Sequence, residues 1–90
     1  MRVSVISAER SVFDGEADAV VAPAFDGLVG ILPRHAPFMT LLGEGIVKIN
    51  GSGGGGGGGA VTRLSVMGGF LQVASNVVRI VARRAGPADS

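Results

Sequence analysis

Apolar and polar residues alternate with a period of two over most of this chain, and no stretch after Val3 carries a sustained stripe at the 3.6-residue helical period. In the run from Glu16 to Ala22 the acids Glu16 and Asp18 alternate with Ala17, Ala19 and Val21. Thr62, Leu64 and Val66 interleave with Arg63, Ser65 and Met67, and Val78, Ile80 and Ala82 interleave with Arg79 and Arg83. A strand sends successive side chains to opposite faces, so each run predicts a half-buried antiparallel strand with one wet face. Short strands punctuated by glycine and proline predict an all-β fold, a β-sandwich or flattened barrel.

The punctuation fixes the corners. Ser75-Asn76 alone separates Leu71-Gln72-Val73-Ala74 from Val77-Val78-Arg79-Ile80-Val81, the length of a tight hairpin, and asparagine tolerates positive φ. Gly68-Gly69 interrupts a strand-like run and predicts a bulge or a sharp bend from one sheet to another. Gly43-Glu44-Gly45 reads as a turn ahead of Ile46-Val47-Lys48-Ile49. In Gly30-Ile31-Leu32-Pro33-Arg34-His35-Ala36-Pro37-Phe38 two prolines with fixed φ flank the only histidine and bias Leu32 and Ala36 toward extended geometry. That segment predicts a rigid, exposed loop, with Pro33 and Pro37 as shape-setting residues.

Ninety residues make one domain, and four Phe with no Trp or Tyr leave the core to Val, Ile, Leu, Ala and Met. Such a core suits tightly packed strands better than a ligand cavity. A net charge of +1 gives no drive toward nucleic acid or an anionic membrane. Seven of the eight basic residues are Arg, which favours planar contacts with carboxylates on a protein partner. Without Cys there is no disulfide or thiolate metal site, and a single His removes most zinc chemistry. The start Met1-Arg2-Val3-Ser4-Val5 lacks the apolar run of a secretory signal, and no stretch approaches the ~20 apolar residues of a membrane-spanning helix.

Catalytic chemistry finds little support. The glycine run Gly53 to Gly59 lacks the Gly-Lys-Ser/Thr opening a helix that a phosphate loop requires; Ala60-Val61-Thr62-Arg63 opens a strand instead. It reads as a flexible loop, residues 51–59, joining two antiparallel strands. His35 has no accompanying nucleophile turn, and Glu16 and Asp18 read as a solvated strand face. No catalytic residue, metal site or cofactor is expected.

Taken in order, Val5-Ile6-Ser7-Ala8-Glu9-Arg10-Ser11-Val12-Phe13-Asp14-Gly15, Gly30 to Leu42, Gly43-Glu44-Gly45-Ile46-Val47-Lys48-Ile49, Gly68-Gly69-Phe70-Leu71-Gln72-Val73 and Asn76-Val77-Val78 resemble the N-terminal domain of the ε subunit of F-type ATP synthases. The resemblance implies a β-sandwich of two five-stranded, mainly antiparallel sheets over residues 1–85, with 86–90 as a disordered tail. It implies a non-catalytic rotor subunit of the central stalk, bridging the γ subunit and the c-ring and coupling proton or sodium-ion transport to ATP synthesis. The place implied is the cytoplasmic face of a bacterial plasma membrane, touched only through the complex. Carried over by motif, Asp26, Gly27, Arg34 and His35 become interface candidates, with Pro33, Pro37, Gly68 and Gly69 shaping the turns. Many family members have glutamate at the position of Leu28 and glycine at that of Arg34, so the charge facing the ring has moved. The C-terminal helical hairpin common in the family has no counterpart here, and without it no ATP binding is expected.

Two other readings compete. An unrelated all-β module gripping a protein through the Pro33–Pro37 turn fits the same loop. A biotinyl or lipoyl carrier is also a small sandwich but needs a lysine at a hairpin tip, whereas Lys48 lies inside a strand-like run.

Overall fold

The computed structural model describes residues 1–51 and 61–88. The glycine run therefore lies outside the described residues, as do Asp89 and Ser90. Seven strands follow one another: β1 (Arg2–Ile6), β2 (Ser11–Ala24), β3 (Gly27–Ile31), β4 (Phe38–Leu41), β5 (Glu44–Gly51), β6 (Val61–Ala74) and β7 (Val77–Pro87). No helix occurs among the described residues. The fold is all-β, as the alternation predicts.

Hydrogen bonding links β1, β7, β6, β5 and β2 in that order, and β2 pairs again with β1, so five strands close into a barrel-like circuit. β3 extends from β2 and β4 from β6. Every pairing is antiparallel except β1 with β7, which run parallel from Arg2↔Val77 to Ile6↔Val81.

Two strands are too long to be straight. Fourteen residues in β2 or β6 would span about 43 Å at ~3.3 Å per residue, whereas the molecule measures 35 Å along its longest axis. β2 bends where its register to β5 slips between Ala17 and Ala19. That extra residue turns the alternation over: Ala17 is buried, but beyond the slip the core residues are Val20 and Ala22 rather than Ala19 and Val21. A strict two-residue reading of this run thus assigns the wrong face after Asp18.

β6 bends at Gly68–Gly69 without slipping. Its ladder to β7 keeps one register on both sides, with Met67↔Arg84 before the glycines and Gly69↔Ala82 after them. The bend is possible because Gly68 and Gly69 hold φ of 67° and 113°. At Gly69 a Cβ would collide with the Val81 carbonyl oxygen and stand 2.9 Å from the Ala82 Cα. Between a bulge and a bend, the structure has a bend. The same register of β6 serves β4 (Leu41↔Phe70) and then β5 (Glu44↔Met67), so Leu42 and Gly43 pass from one to the other. Glu44 and Gly45 therefore belong to strand β5 rather than to a turn.

The Ser75–Asn76 hairpin forms as predicted, both residues with positive φ, 52° and 61°, matching the right-handed twist of the flanking strands. β7 continues beyond the expected boundary at Ala85: Gly86 pairs with Ser65, Pro87 with Leu64, and the Ala88 amide donates to the Arg63 carbonyl at 3.1 Å. Residues 86–88 are thus part of the sheet and not tail, because β6 still offers ladder partners there.

All of the buried residues among those described are apolar, and Leu71, Ile80, Ile49 and Ile31 are the largest that are wholly enclosed. No aromatic ring is fully buried; Phe13 and Phe38 pack against the core from its margin. Gly69→Ala is expected to cost about 3 kcal/mol or more, combining forbidden φ with backbone overlap. Urea unfolding followed by circular dichroism reads this as a lower midpoint.

Candidate docking edge

The two prolines build a corner. Leu32-Pro33-Arg34-His35 closes through the His35 amide donating to the Leu32 carbonyl at 3.2 Å. Pro33 supplies the fixed φ of the second position, and Arg34 holds φ of 67° at the third. This is the arrangement of a type II turn, whose third position ordinarily belongs to glycine. An arginine there costs about 1–2 kcal/mol of backbone strain.

A long-range bond holds that conformation. The Arg34 amide donates to Asn76 Oδ1 at 2.8 Å, 42 residues away in sequence. Asn76 also accepts, through its carbonyl, from the Arg2 amide at 3.1 Å. The β6–β7 turn therefore ties the proline loop to the start of β1. His35 is half-buried; its Nδ1 lies 2.7 Å from the Ala36 carbonyl and donates to it. The ring meets Phe38 edge-on, centroids 5.8 Å apart and planes at 61°. With the proton placed on Nδ1, Nε2 is the ring nitrogen open to a partner.

Asp26, in the tight turn that joins β2 to β3, and Gly27, the first residue of β3, stand at the other end of that strand, and both are exposed. Four residue steps of β3 separate Gly27 from Ile31, about 13 Å, and no hydrogen bond or ion pair joins Asp26 to Arg34 among the described residues. The expected interface residues form two corners of one edge rather than one cluster. Pro37 is exposed where the loop enters β4, and Gly68 and Gly69 bend β6.

Between the corners lies a feature that the residue pattern did not reveal. Phe25 (76% exposed), Leu28 (76%), Leu32 (63%), Met39 (61%) and Leu41 (61%) all face solvent on the β2–β3 loop, β3, the proline loop and β4. The Phe25 amide donates to the Leu41 carbonyl at 2.9 Å, which brings the β2–β3 loop against the end of β4. Their only sequence signal is position: Phe25 and Leu32 sit beside turn residues, where apolar side chains gain nothing from a strand's buried face. Asn76 was legible as a turn residue but not as the loop's anchor.

A family model for the β-sandwich domain of the ATP synthase δ/ε chain matches residues 1–88. The chain belongs to this family. It is 41% identical over 81 residues to the ATP synthase ε chain of Leptospira borgpetersenii, covering 90% of this chain and 59% of that one. The ε chain of a Roseiflexus species is 39% identical over 89 residues, covering 99% and 60%. This chain thus spans about three fifths of the length of the curated relatives it matches. Among solved structures its fold is similar to a chain of the Euglena gracilis mitochondrial ATP synthase, in a structure titled OSCP/F1/c-ring, with a TM-score of 0.82 and 23% identity over 94% of this chain and 51% of that one. A chain of the Tetrahymena thermophila mitochondrial ATP synthase, titled central stalk/c-ring, gives 0.72 and 18% over 97% and 66%. At these identities the structural likeness concerns the fold. Membership removes the unrelated-module reading, and Lys48, mid-strand between Val21 and Arg63, removes the carrier reading.

Titration is perturbed away from this edge. Arg2 Nε donates to Asp14 Oδ1 at 2.9 Å across β1 and β2. That hydrogen bond, with the attraction of the charges, holds the Asp14 carboxyl below the usual carboxylate range and raises the Arg2 guanidinium. A depressed carboxyl stabilises the folded state above its unfolded pKa, and the contribution disappears as pH falls through the folded value. Both side chains are about half exposed, so the effect is small and salt-sensitive. Asp14→Asn should lower the melting temperature slightly at neutral pH and low salt, with the difference gone in acid below the carboxylate range. Arg34→Gly should raise stability by about 0.5–1 kcal/mol, since relief of about 1–2 kcal/mol of strain exceeds the entropy cost of glycine. The melting temperature should rise by about 2–8 °C.

Proposed function

We propose that this chain is the β-sandwich part of an ATP synthase ε subunit, a non-catalytic element of the central stalk that bridges the γ subunit and the c-ring. It transmits rotation between them and so couples proton or sodium-ion transport to ATP synthesis. Its place is the cytoplasmic face of a bacterial plasma membrane, held there by the complex. The observation that carries this reading is the edge from Phe25 to Leu41. Five large apolar side chains stand exposed there, beside a corner kept rigid at the cost of backbone strain. Concentrated apolar exposure on a small fold is what a protein interface requires.

Within that edge Asp26, Gly27, Arg34 and His35 are the polar contacts, and Pro33 and Pro37 set its shape. The Arg34 guanidinium reaches for a carboxylate on the ring's polar loops. Leu28, where many relatives carry glutamate, adds an apolar contact in place of a charge.

We also read the closed circuit as two five-stranded sheets. Dividing β2 at its slip, β6 at Gly68–Gly69 and β7 near Arg83 supports this count. One sheet then holds β3, the second half of β2, β5, the first half of β6 and the end of β7. The other holds the first half of β2, β1, the start of β7, the second half of β6, and β4. A sandwich of this kind resists bending, which torque transfer needs.

Mixing the chain with the γ subunit and c-ring of the same ATP synthase in detergent, followed by size-exclusion chromatography, tests the assignment. A stable ternary complex is expected, and binding to neither partner would overturn it. Arg34→Glu should weaken ring association by about tenfold at moderate salt. Unchanged assembly would remove Arg34 from the interface.

A further inference from the structure

Closure of the sheet leaves one strand edge open. The circuit of β1, β7, β6, β5 and β2 gives each of its members a neighbour on both sides, whereas β3 pairs with β2 alone and β4 with β6 alone. β4 begins next to Pro37, and its Leu41 carbonyl already accepts from the Phe25 amide. β3 has no such cover among the described residues.

The ladder to β2 decides which backbone groups of β3 are open. The Pro23 carbonyl accepts from the Gly43 amide at 2.7 Å, so Pro23 points away from β3, and proline has no N–H to give it. Pro23↔Leu28 is therefore a pair without mutual hydrogen bonds, and Leu28 turns its own amide and carbonyl outward. Alternation does the same at Gly30, while Gly27, Val29 and Ile31 face β2. No backbone hydrogen bond from outside the β2–β3 ladder reaches Leu28 or Gly30.

The side chains along this edge complement themselves. Leu28 and Gly30 share one face; Leu28 is 76% exposed, and a Cβ at Gly30 would meet nothing within 4 Å. β3 contains no charge and no proline, the devices that ordinarily keep such an edge from pairing. A second copy running antiparallel about a two-fold axis at Val29 sets each Leu28 opposite the Gly30 of the other copy. Both pairs then exchange amide-to-carbonyl bonds, and each leucine fills the space beside a glycine. The same axis brings the end of β3 that carries Asp26 beside the end from which the Arg34 loop leaves the second copy, so opposite charges approach at both ends of the contact.

We propose that β3 is a self-association edge, through which two copies of this chain pair antiparallel with Val29 at the centre. Each copy has one such edge, so the assembly stops at a dimer. The contact is small, which puts the dissociation constant on the order of 100 μM. On the reading given above, Leu28, Asp26 and Arg34 cannot serve the docking edge and this pairing at once, so the dimer belongs to the chain outside the ATP synthase. The pairing itself rests on the β3 edge alone and stands or falls independently of the ring assignment.

Cross-linking tests the register on the 90-residue chain, which has no cysteine of its own. Val29→Cys places two thiols directly opposite each other in a pair without mutual hydrogen bonds, with Cα atoms about 4.5 Å apart, within reach of a disulfide. In a glutathione redox buffer it should give a covalent dimer several times faster than Leu28→Cys, although Leu28 is the more exposed position. Sedimentation velocity of the unaltered chain from about 10 μM to 1 mM should show a reversible monomer–dimer equilibrium. Leu28→Glu should weaken it by about tenfold or more, since each charge would lie against the apolar face of the other copy. Met67→Glu, at an exposed position of β6, should leave it unchanged. Circular dichroism confirms that each variant is folded, and the Val29→Cys result serves if Leu28→Glu is not. A chain that stays monomeric throughout, Leu28→Cys cross-linking as fast as Val29→Cys, or equal loss in Met67→Glu would each overturn the proposal.

Discussion

The structure depends on β6 turning through its middle while keeping its hydrogen bonds to β7. β6 is the strand against which β4, β5 and β7 all register, so any slip at its bend would displace three neighbours at once. The bend keeps register because Gly69 lies against the Val81 carbonyl with no side chain between them. Closure of the five-strand circuit, and with it the burial of Leu71, Ile80 and Val66, follows from that contact. Each of those side chains contributes roughly 1.5–3 kcal/mol by leaving water, and none would be enclosed by a flat sheet.

The same economy of backbone contacts governs the docking edge. The Pro33–Pro37 corner is held through Asn76 Oδ1 on the Arg34 amide, while Asn76 itself sits in the turn between β6 and β7. Strain at Arg34 is thus sustained by the sheet behind it. Around the corner, apolar side chains that the core does not take up are left on the surface. In the assembly we propose, this rigidity and that exposure are the two properties a coupling element requires.

Much of this was legible in the residues. The strands from Thr62 to Met67 and from Val78 to Arg83 have the faces their alternation assigns, and Ser75–Asn76 turns where its length demands. The run after Asp18 was misread because a one-residue slip reverses every later side chain, and nothing in Ala17-Asp18-Ala19 announces it. Gly86 and Pro87 look like a tail by composition, yet β6 presents unpaired partners that draw them into the sheet. For the candidate site, Arg34 and His35 were identifiable by their place between prolines and Leu28 as a departure from the family's glutamate, whereas nothing in the residue pattern marked Phe25 and Met39 as exposed.

By itself, the sequence determined that this chain is all-β, where most strands lie, that its core is aliphatic, and which family it belongs to. These follow from local properties: side-chain alternation, fixed φ at proline, positive φ at glycine and asparagine, and motif order. The tertiary structure alone decided that the circuit closes through a parallel β1–β7 pair and that Asn76 anchors the proline loop. Each is a contact between residues far apart in the chain, made by sheet closure, and no local pattern encodes its partner.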